Sequence, residues 1–284
     1  MKNTLITIII LSLIAVSCKQ TTIKQQINNT IETHQENNVS DNSNILQTDI
    51  ADDEKYFTKN TMNYEKVKDL FSVDSIDISK LLWKEIEFLG MIGDDIQRMG
   101  IVFLSTTRIS INEYEIIGKS KVKNNICDFE GIIEAERVIE TDIERDEIPE
   151  LSTVDGRIIG KYHFIEDKNQ SGTGIFEGIF EIYWAYYDDD KIGLADFWYT
   201  MSDYTIIFTG SWKSYQTGNS KNACWSDYQG CFPAGFRSDG PDIIPDEKYR
   251  SSGWGSLTDL WSFDEEKEKN AAKYERENWY HWWK

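Results

Sequence analysis

Histidine is close to absent from this chain, with three in 284 residues. His34 lies in a polar N-terminal stretch, which leaves His163 and His281 for a folded part. A three-histidine zinc centre is thereby excluded, and no His-Glu-x-x-His run occurs. Positive charge is scarce too: 30 Lys and Arg against 49 Asp and Glu give a formal charge of −19. A chain of that sign releases no counterions from nucleic-acid phosphates and is not drawn to anionic lipid. Phosphate-loop chemistry is missing as well. Ser171-Gly172-Thr173-Gly174 lacks a following Gly-Lys-Ser/Thr and precedes a strand, so it reads as a hairpin turn. No Gly-x-Ser-x-Gly elbow exists. The acidic residues Asp188–Asp190 and Asp239, Asp242 and Asp246 have neither EF-hand nor nonapeptide spacing. No metal, no cofactor and no nucleic-acid partner is expected.

What the chain does contain is a strand pair written twice. Ile116-Ile117-Gly118-Lys119 and Phe129-Glu130-Gly131-Ile132-Ile133-Glu134 return as Ile158-Ile159-Gly160-Lys161 and Phe176-Glu177-Gly178-Ile179-Phe180-Glu181. The offset is 42 in the first half (118 to 160) and 47 in the second (131 to 178), so only the connecting loop changes length. Phe208-Thr209-Gly210, before Trp212, is a third echo. Side chains alternate faces along a strand, so Phe129, Gly131 and Ile133 share a face with Ala135, as Phe176, Gly178 and Phe180 do with Ile182 and Trp184. Glycine in mid-strand among aromatics either bends a sheet for closure or leaves room for a neighbouring ring. Strands are expected at 84–90, 97–105, 113–122, 127–139, 156–166, 173–187, 190–200 and 203–214. The fold class is therefore mainly β: an antiparallel up-and-down meander closing into a roughly eight-stranded barrel over residues 84–216. A two-sheet sandwich is the rival.

Glu130/Glu134 and Glu177/Glu181 recur at i, i+4 and so share a strand face, opposite the aromatics. They read either as a solvent face offset by Lys119 and Lys161, or as an acid–base pair of a hydrolase. Duplication favours the structural alternative, since a catalytic pair rarely needs a copy. His163, on the same outward side as Lys161, reads as a strand histidine.

Residues 1–17 read as a signal peptide, with Lys2 ahead of the apolar run Leu5–Val16, which is short for a membrane span. Leu13-Ile14-Ala15-Val16-Ser17-Cys18 resembles the lipobox of bacterial lipoproteins, although Ala15 stands where Leu is usual. That resemblance implies lipidation at Cys18. Lys19 follows, with neither an Asp retention signal nor an acidic export cluster, which implies an outer-membrane anchor on either face. Residues 18–50, rich in Gln, Asn, Thr and Ser, read as a disordered tether. Residues 51–83 read as a short helical lead-in, with Phe57, Tyr64, Val67 and Phe71 at helical spacing and a second turn near 79–83.

Residues 217–284 read as a loop carrying a cysteine pair, then an aromatic helix from Leu257 to Lys284. Lipidation of Cys18 leaves Cys127, Cys224 and Cys231; in an oxidising compartment Cys224 and Cys231 form the natural bridge. Cys127 reads as a small buried residue. Trp279, Tyr280, Trp282 and Trp283 either cover a wall of the barrel or present a stacking surface to a sugar or a protein.

The barrel resembles the lipocalins in architecture only. Their Gly-x-Trp lies on the first strand, whereas Gly210-Ser211-Trp212 lies on the last expected one, so no ligand residue is carried over. The chain also looks like uncharacterised bacterial lipoproteins with the same Gly-Lys and Phe-x-Gly strands. The expected function is that of a lipid-anchored envelope binding protein without catalytic activity. Its partner is an envelope protein, a glycan or a small apolar ligand. The alternatives are an inhibitor or immunity-type protein against a basic toxin or enzyme, and a carboxylate-based hydrolase.

Overall fold

The computed structural model of the chain describes residues 74–140, 156–187, 191–195, 204–236 and 242–284. The expected signal peptide, Cys18, the tether, most of the helical lead-in and Asp188–Asp190 lie outside the described residues. Nine strands form one antiparallel sheet: β1 (Ile86–Ile92), β2 (Gln97–Arg108), β3 (Glu113–Val122), β4 (Asn125–Glu140), β5 (Gly156–Glu166), β6 (Gly174–Tyr187), β7 (Lys191–Leu194), β8 (Ile206–Ser214) and β9 (Ser220–Ser226). The order β5-β4-β3-β2-β1-β9-β8-β6 closes on itself because β5 also pairs with β6. The result is an eight-stranded barrel, not a sandwich. β7 is the extra strand, paired only to the far end of β6.

Two expectations about the staves are corrected. Among the described residues of the 190–200 segment, Lys191–Leu194 form a strand that lies outside the closed ring. The eighth stave is instead β9, inside the segment expected to be loop. It pairs with β8 on one side and β1 on the other, so it is the strand that closes the barrel. Its inward residues are Ala223 and Trp225, both buried, whereas Ser220, Lys221 and Asn222 are exposed. Half of the strand thus lacks the apolar alternation that marks the others.

The alternation in the repeats has the physical meaning expected of it. In β3 Tyr114, Ile116, Gly118 and Ser120 are buried, with half-buried or exposed residues between them, and β1 alternates in the same way. Inside the ring, Phe88, Phe103, Phe129, Tyr162, Phe164, Phe180, Phe208 and Trp225 are buried and meet mostly edge to face, with centroids 5.0–6.4 Å apart. This quadrupole-favoured geometry fills the middle of the barrel. One end is plugged by α1 (Ile78–Leu81) with Ile76 and Leu82, all in the core cluster. The Tyr114 hydroxyl holds that plug, accepting from the Ile78 amide at 3.2 Å and donating to the Ile76 carbonyl at 3.1 Å.

Beyond the barrel, the expected single helix from Leu257 to Lys284 divides into α2 (Gly255–Asp259) and α3 (Glu265–Asn278), preceded by a 3₁₀ helix at Glu247–Ser252. Asp264 restarts the helix by accepting from the amides of Glu266 and Lys267 at 3.1 and 3.2 Å. Among the described residues no helix is long and apolar enough to cross a membrane.

Candidate binding site at the open barrel mouth

Among the described residues, the end opposite α1 has no such plug. A cavity of about 210 Å³ opens there, lined by Ile92, Gln97, Ser120, Val122, Cys127, Glu166, Phe176 and Trp212, with Asp95, Lys123 and Lys221 exposed at its rim. Each wall residue sits at or near one end of a stave. Glu166 ends β5, Ser120 and Val122 are at the end of β3, Cys127 is near the start of β4 and Trp212 nears the end of β8. An engineered apolar cavity of about 150 Å³ takes up benzene, so the mouth has room for one small molecule.

The deepest polar group is Glu166, 2% exposed. Its Oε1 accepts from the Ser120 hydroxyl. Its Oε2 accepts from the Gly174 amide at 2.8 Å and from the Trp212 indole N–H at 2.9 Å. Burial raises the Glu166 pKa above the ordinary carboxylate value, and these three donors pull it back in part. Its neighbours respond. Burial first, and the Glu166 charge second, push the Cys127 thiol up to about 11 and the Tyr215 hydroxyl up to about 12. Cys127 is buried and free, as expected for a small core residue. A thiol so far from ionising is a poor nucleophile.

The residues singled out in the sequence lie elsewhere. Glu130, Glu134, Glu177 and Glu181 are on the outer wall, where Arg157 reaches Glu181 at 3.3 Å and His163 reaches Glu177 at 3.7 Å. The lysines expected to offset them pair differently: Lys119 with Asp128 at 2.6 Å, and Lys161 with Glu136. Cys224 and Cys231 are joined in a disulfide with Cα atoms 5.6 Å apart. Trp279 and Trp282 lie against the outer face of β2 and β3, with the Arg98 guanidinium 3.9 Å from the Trp279 ring centre and Gly100 beneath Trp282. Trp283 is 9% exposed, while Tyr280 is 65% exposed with its ring tilted against that of His281. Among the described residues no cluster of three or more His, Cys, Asp or Glu could hold a metal ion.

Glu166 and Ser120 escaped notice in the sequence, and Trp212 was noted only beside the third echo and in its Gly-x-Trp run, although one signal for all three was present. Continuing the inward alternation of Ile158, Gly160, Tyr162 and Phe164 by one step places Glu166 inside the barrel. The same count along Ile116 and Gly118 reaches Ser120, and along Phe208 and Gly210 it reaches Trp212. No protein-family model matches the chain, and no curated protein or solved structure matches it either.

Proposed function

We propose that this chain is a lipid-anchored cell-envelope protein that binds a small molecule in the open mouth of its barrel and leaves it chemically unchanged. The observation that carries this reading is the asymmetry of the two ends. One is sealed by α1, whereas the other holds a cavity with apolar walls and a buried carboxylate at its depth. Small-molecule sites combine an apolar lining with a few placed polar groups in this way, and barrel mouths are a frequent place for them. Support for the anchor is the Leu13–Cys18 segment with its lipobox resemblance, and the outer membrane is the location it implies.

Two variants test the two halves separately. Protein with Cys18→Ser should move from the detergent phase to the soluble fraction; unchanged partitioning would remove the anchor. Protein purified from the envelope should release an unmodified small compound on denaturation, seen by mass spectrometry. Val122→Trp, which fills the mouth, should abolish that carriage. Retention of the same compound by the filled variant would remove the mouth as the site.

A second reading, an inhibitor or immunity-type protein against a basic partner, is favoured by the turn between α2 and α3. Phe263 is 98% exposed and held at a φ of 57°, Trp261 is 45% exposed, and Asp264, Glu265 and Glu266 follow. An aromatic tip beside acids suits a cationic partner with an apolar cleft. A stoichiometric complex with a basic protein, weakened by salt and by Phe263→Ser, would establish it.

A further inference from the structure

The hydrogen-bonding groups of the mouth are unequally engaged. The Trp212 and Gly174 N–H groups are both taken by Glu166, and the Ser120 hydroxyl donates to the same carboxylate. Both hydrogens of the Asn125 amide have acceptors, the Cys127 sulfur at 3.2 Å and the Ser171 carbonyl at 2.9 Å. The Gln97 amide nitrogen donates to the Ser252 carbonyl at 2.7 Å. Donors at depth are therefore directed at the protein itself. Acceptors are not used up. A carboxylate offers about four lone-pair sites, and Glu166 receives three hydrogen bonds, only one of them on Oε1.

We infer that the mouth takes a small organic cation, an ammonium or amidinium group on an apolar body about the size of one ring, with its charged head on Glu166. This rests on the reading of the mouth as a binding site. The head would donate to Glu166 Oε1 and the backbone and sulfur acceptors around it. The body would lie against Phe176, Ile92 and Val122, all in the cavity wall. Burying a carboxylate is unfavourable unless it is paired, so a cation offsets a penalty that the empty site carries. An anion of the same size would meet the carboxylate, with the Trp212, Gly174 and Asn125 N–H groups already engaged by the protein. Lys123, Lys221 and Asp95 are exposed at the rim, where solvent screens them, so selection by charge falls to Glu166.

Calorimetric titration of the full-length protein with benzylammonium, benzyl alcohol and benzoate tests the inference. Benzylammonium should bind at least about tenfold more tightly than the alcohol, and benzoate not at all, since a charge-assisted pair adds more than a neutral hydrogen bond. Ionised Glu166 is the binding form, and its pKa lies above the ordinary value, with Cys127, Tyr215, Asp95, Lys123 and Lys221 as the other titratable groups around it. Benzylammonium affinity should therefore rise with pH from the ordinary carboxylate range through the Glu166 pKa, with a proton released on binding. In Glu166→Gln the preference for the cation should vanish while benzyl alcohol binds as before. Should that variant fail to fold, the ligand ranking and proton release of the natural protein still decide. Equal binding of cation and alcohol, or any preference for benzoate, overturns the inference but leaves the mouth as a site. Binding of none of the three overturns both.

Discussion

Among the most constrained residues are two glycines that lie in a row with a tyrosine across three staves. Tyr162 on β5 sits opposite Gly178 on β6, which sits opposite Gly210 on β8. A Cβ at Gly178 would run into the Thr209 carbonyl and the Gly210 Cα, and one at Gly210 would meet the Tyr162 hydroxyl. The two missing side chains leave the space that the tyrosine ring fills. Its hydroxyl is buried without a hydrogen-bond partner among the described residues, and burial drives its pKa well above the usual tyrosine value. Gly178→Val should therefore destabilise the protein by at least the about 1–3 kcal/mol typical of overpacking, even though valine favours strands. Glu177→Gln, on the outer wall, should cost about 0–1 kcal/mol, the range of exposed pairs. Denaturant titration of both variants checks the ranking; a costlier Glu177→Gln would mean that the two faces of the sheet are exchanged. The inward glycines were legible in the sequence because aromatic–glycine–aromatic alternation is a local pattern. Glu166 obeys the same alternation, but a carboxylate at a strand end is equally at home in a turn, so the pattern alone did not mark it as buried.

At the scale of the element, β9 decides whether the sheet is a barrel at all. It is seven residues long and hydrogen-bonds to β1 and β8 at once. Trp225 supplies its hold on the interior, stacked on Phe208 at 5.3 Å and edge-on to Tyr162 at 5.2 Å. The disulfide fastens the same strand from outside, since Cys224 lies on β9 and Cys231 in the segment leading to the buried Phe236. Trp225→Ala should cost about 3–5 kcal/mol, as for other large aromatic truncations. Cys231→Ser should cost about 2 kcal/mol, from the entropy of closing so short a loop in the unfolded chain. Urea midpoints of the two variants, with the natural protein measured with and without reductant, check both. A Trp225→Ala variant as stable as the parent would show that the ring closes without β9. β9 was hidden in the sequence because only Ala223 and Trp225 face inward; the cysteine pair beside them drew attention to the bridge instead.

For the whole molecule, the C-terminal segment and the barrel are joined through β2. Every residue from Gln97 to Phe103 is buried, which a barrel wall open to solvent would not allow. Gln97, Met99, Ile101 and Phe103 face the interior, while Arg98, Gly100 and Val102 face outward beneath the C-terminal segment. Arg98 is 4% exposed and makes two parallel hydrogen bonds with Glu275 of α3, at 2.7 and 2.8 Å, between the rings of Trp254 and Trp279. Lys121 donates to the Asn278 carbonyl, and Glu87 meets His281 at 3.2 Å. Glu275→Gln should cost about 1.5–3 kcal/mol, the worth of hydrogen bonds to a charged group, because the guanidinium stays buried with half its partner gone. It should also speed proteolysis within residues 255–284. Thermal unfolding and limited digestion measure the two effects, and an unchanged digestion pattern would show that the aromatic contacts suffice without the ion pair.

The amino-acid sequence by itself determined most of the strands, the inward faces of the repeated staves, the glycine positions and the cysteine bridge. Each of these depends on residues adjacent or alternating along the chain, and period-two patterning and loop length are local properties. Tertiary structure alone decided the rest. Ring closure through β9, the gathering of Glu166, Ser120 and Trp212 at one mouth, and the use of Trp279 and Trp282 as a cover for β2 each bring together residues from separate staves or from opposite ends of the described chain. No local pattern encodes which strand ends share a rim. That follows from the register of eight strands at once, and the charge and hydrogen bonding of the mouth follow from the register.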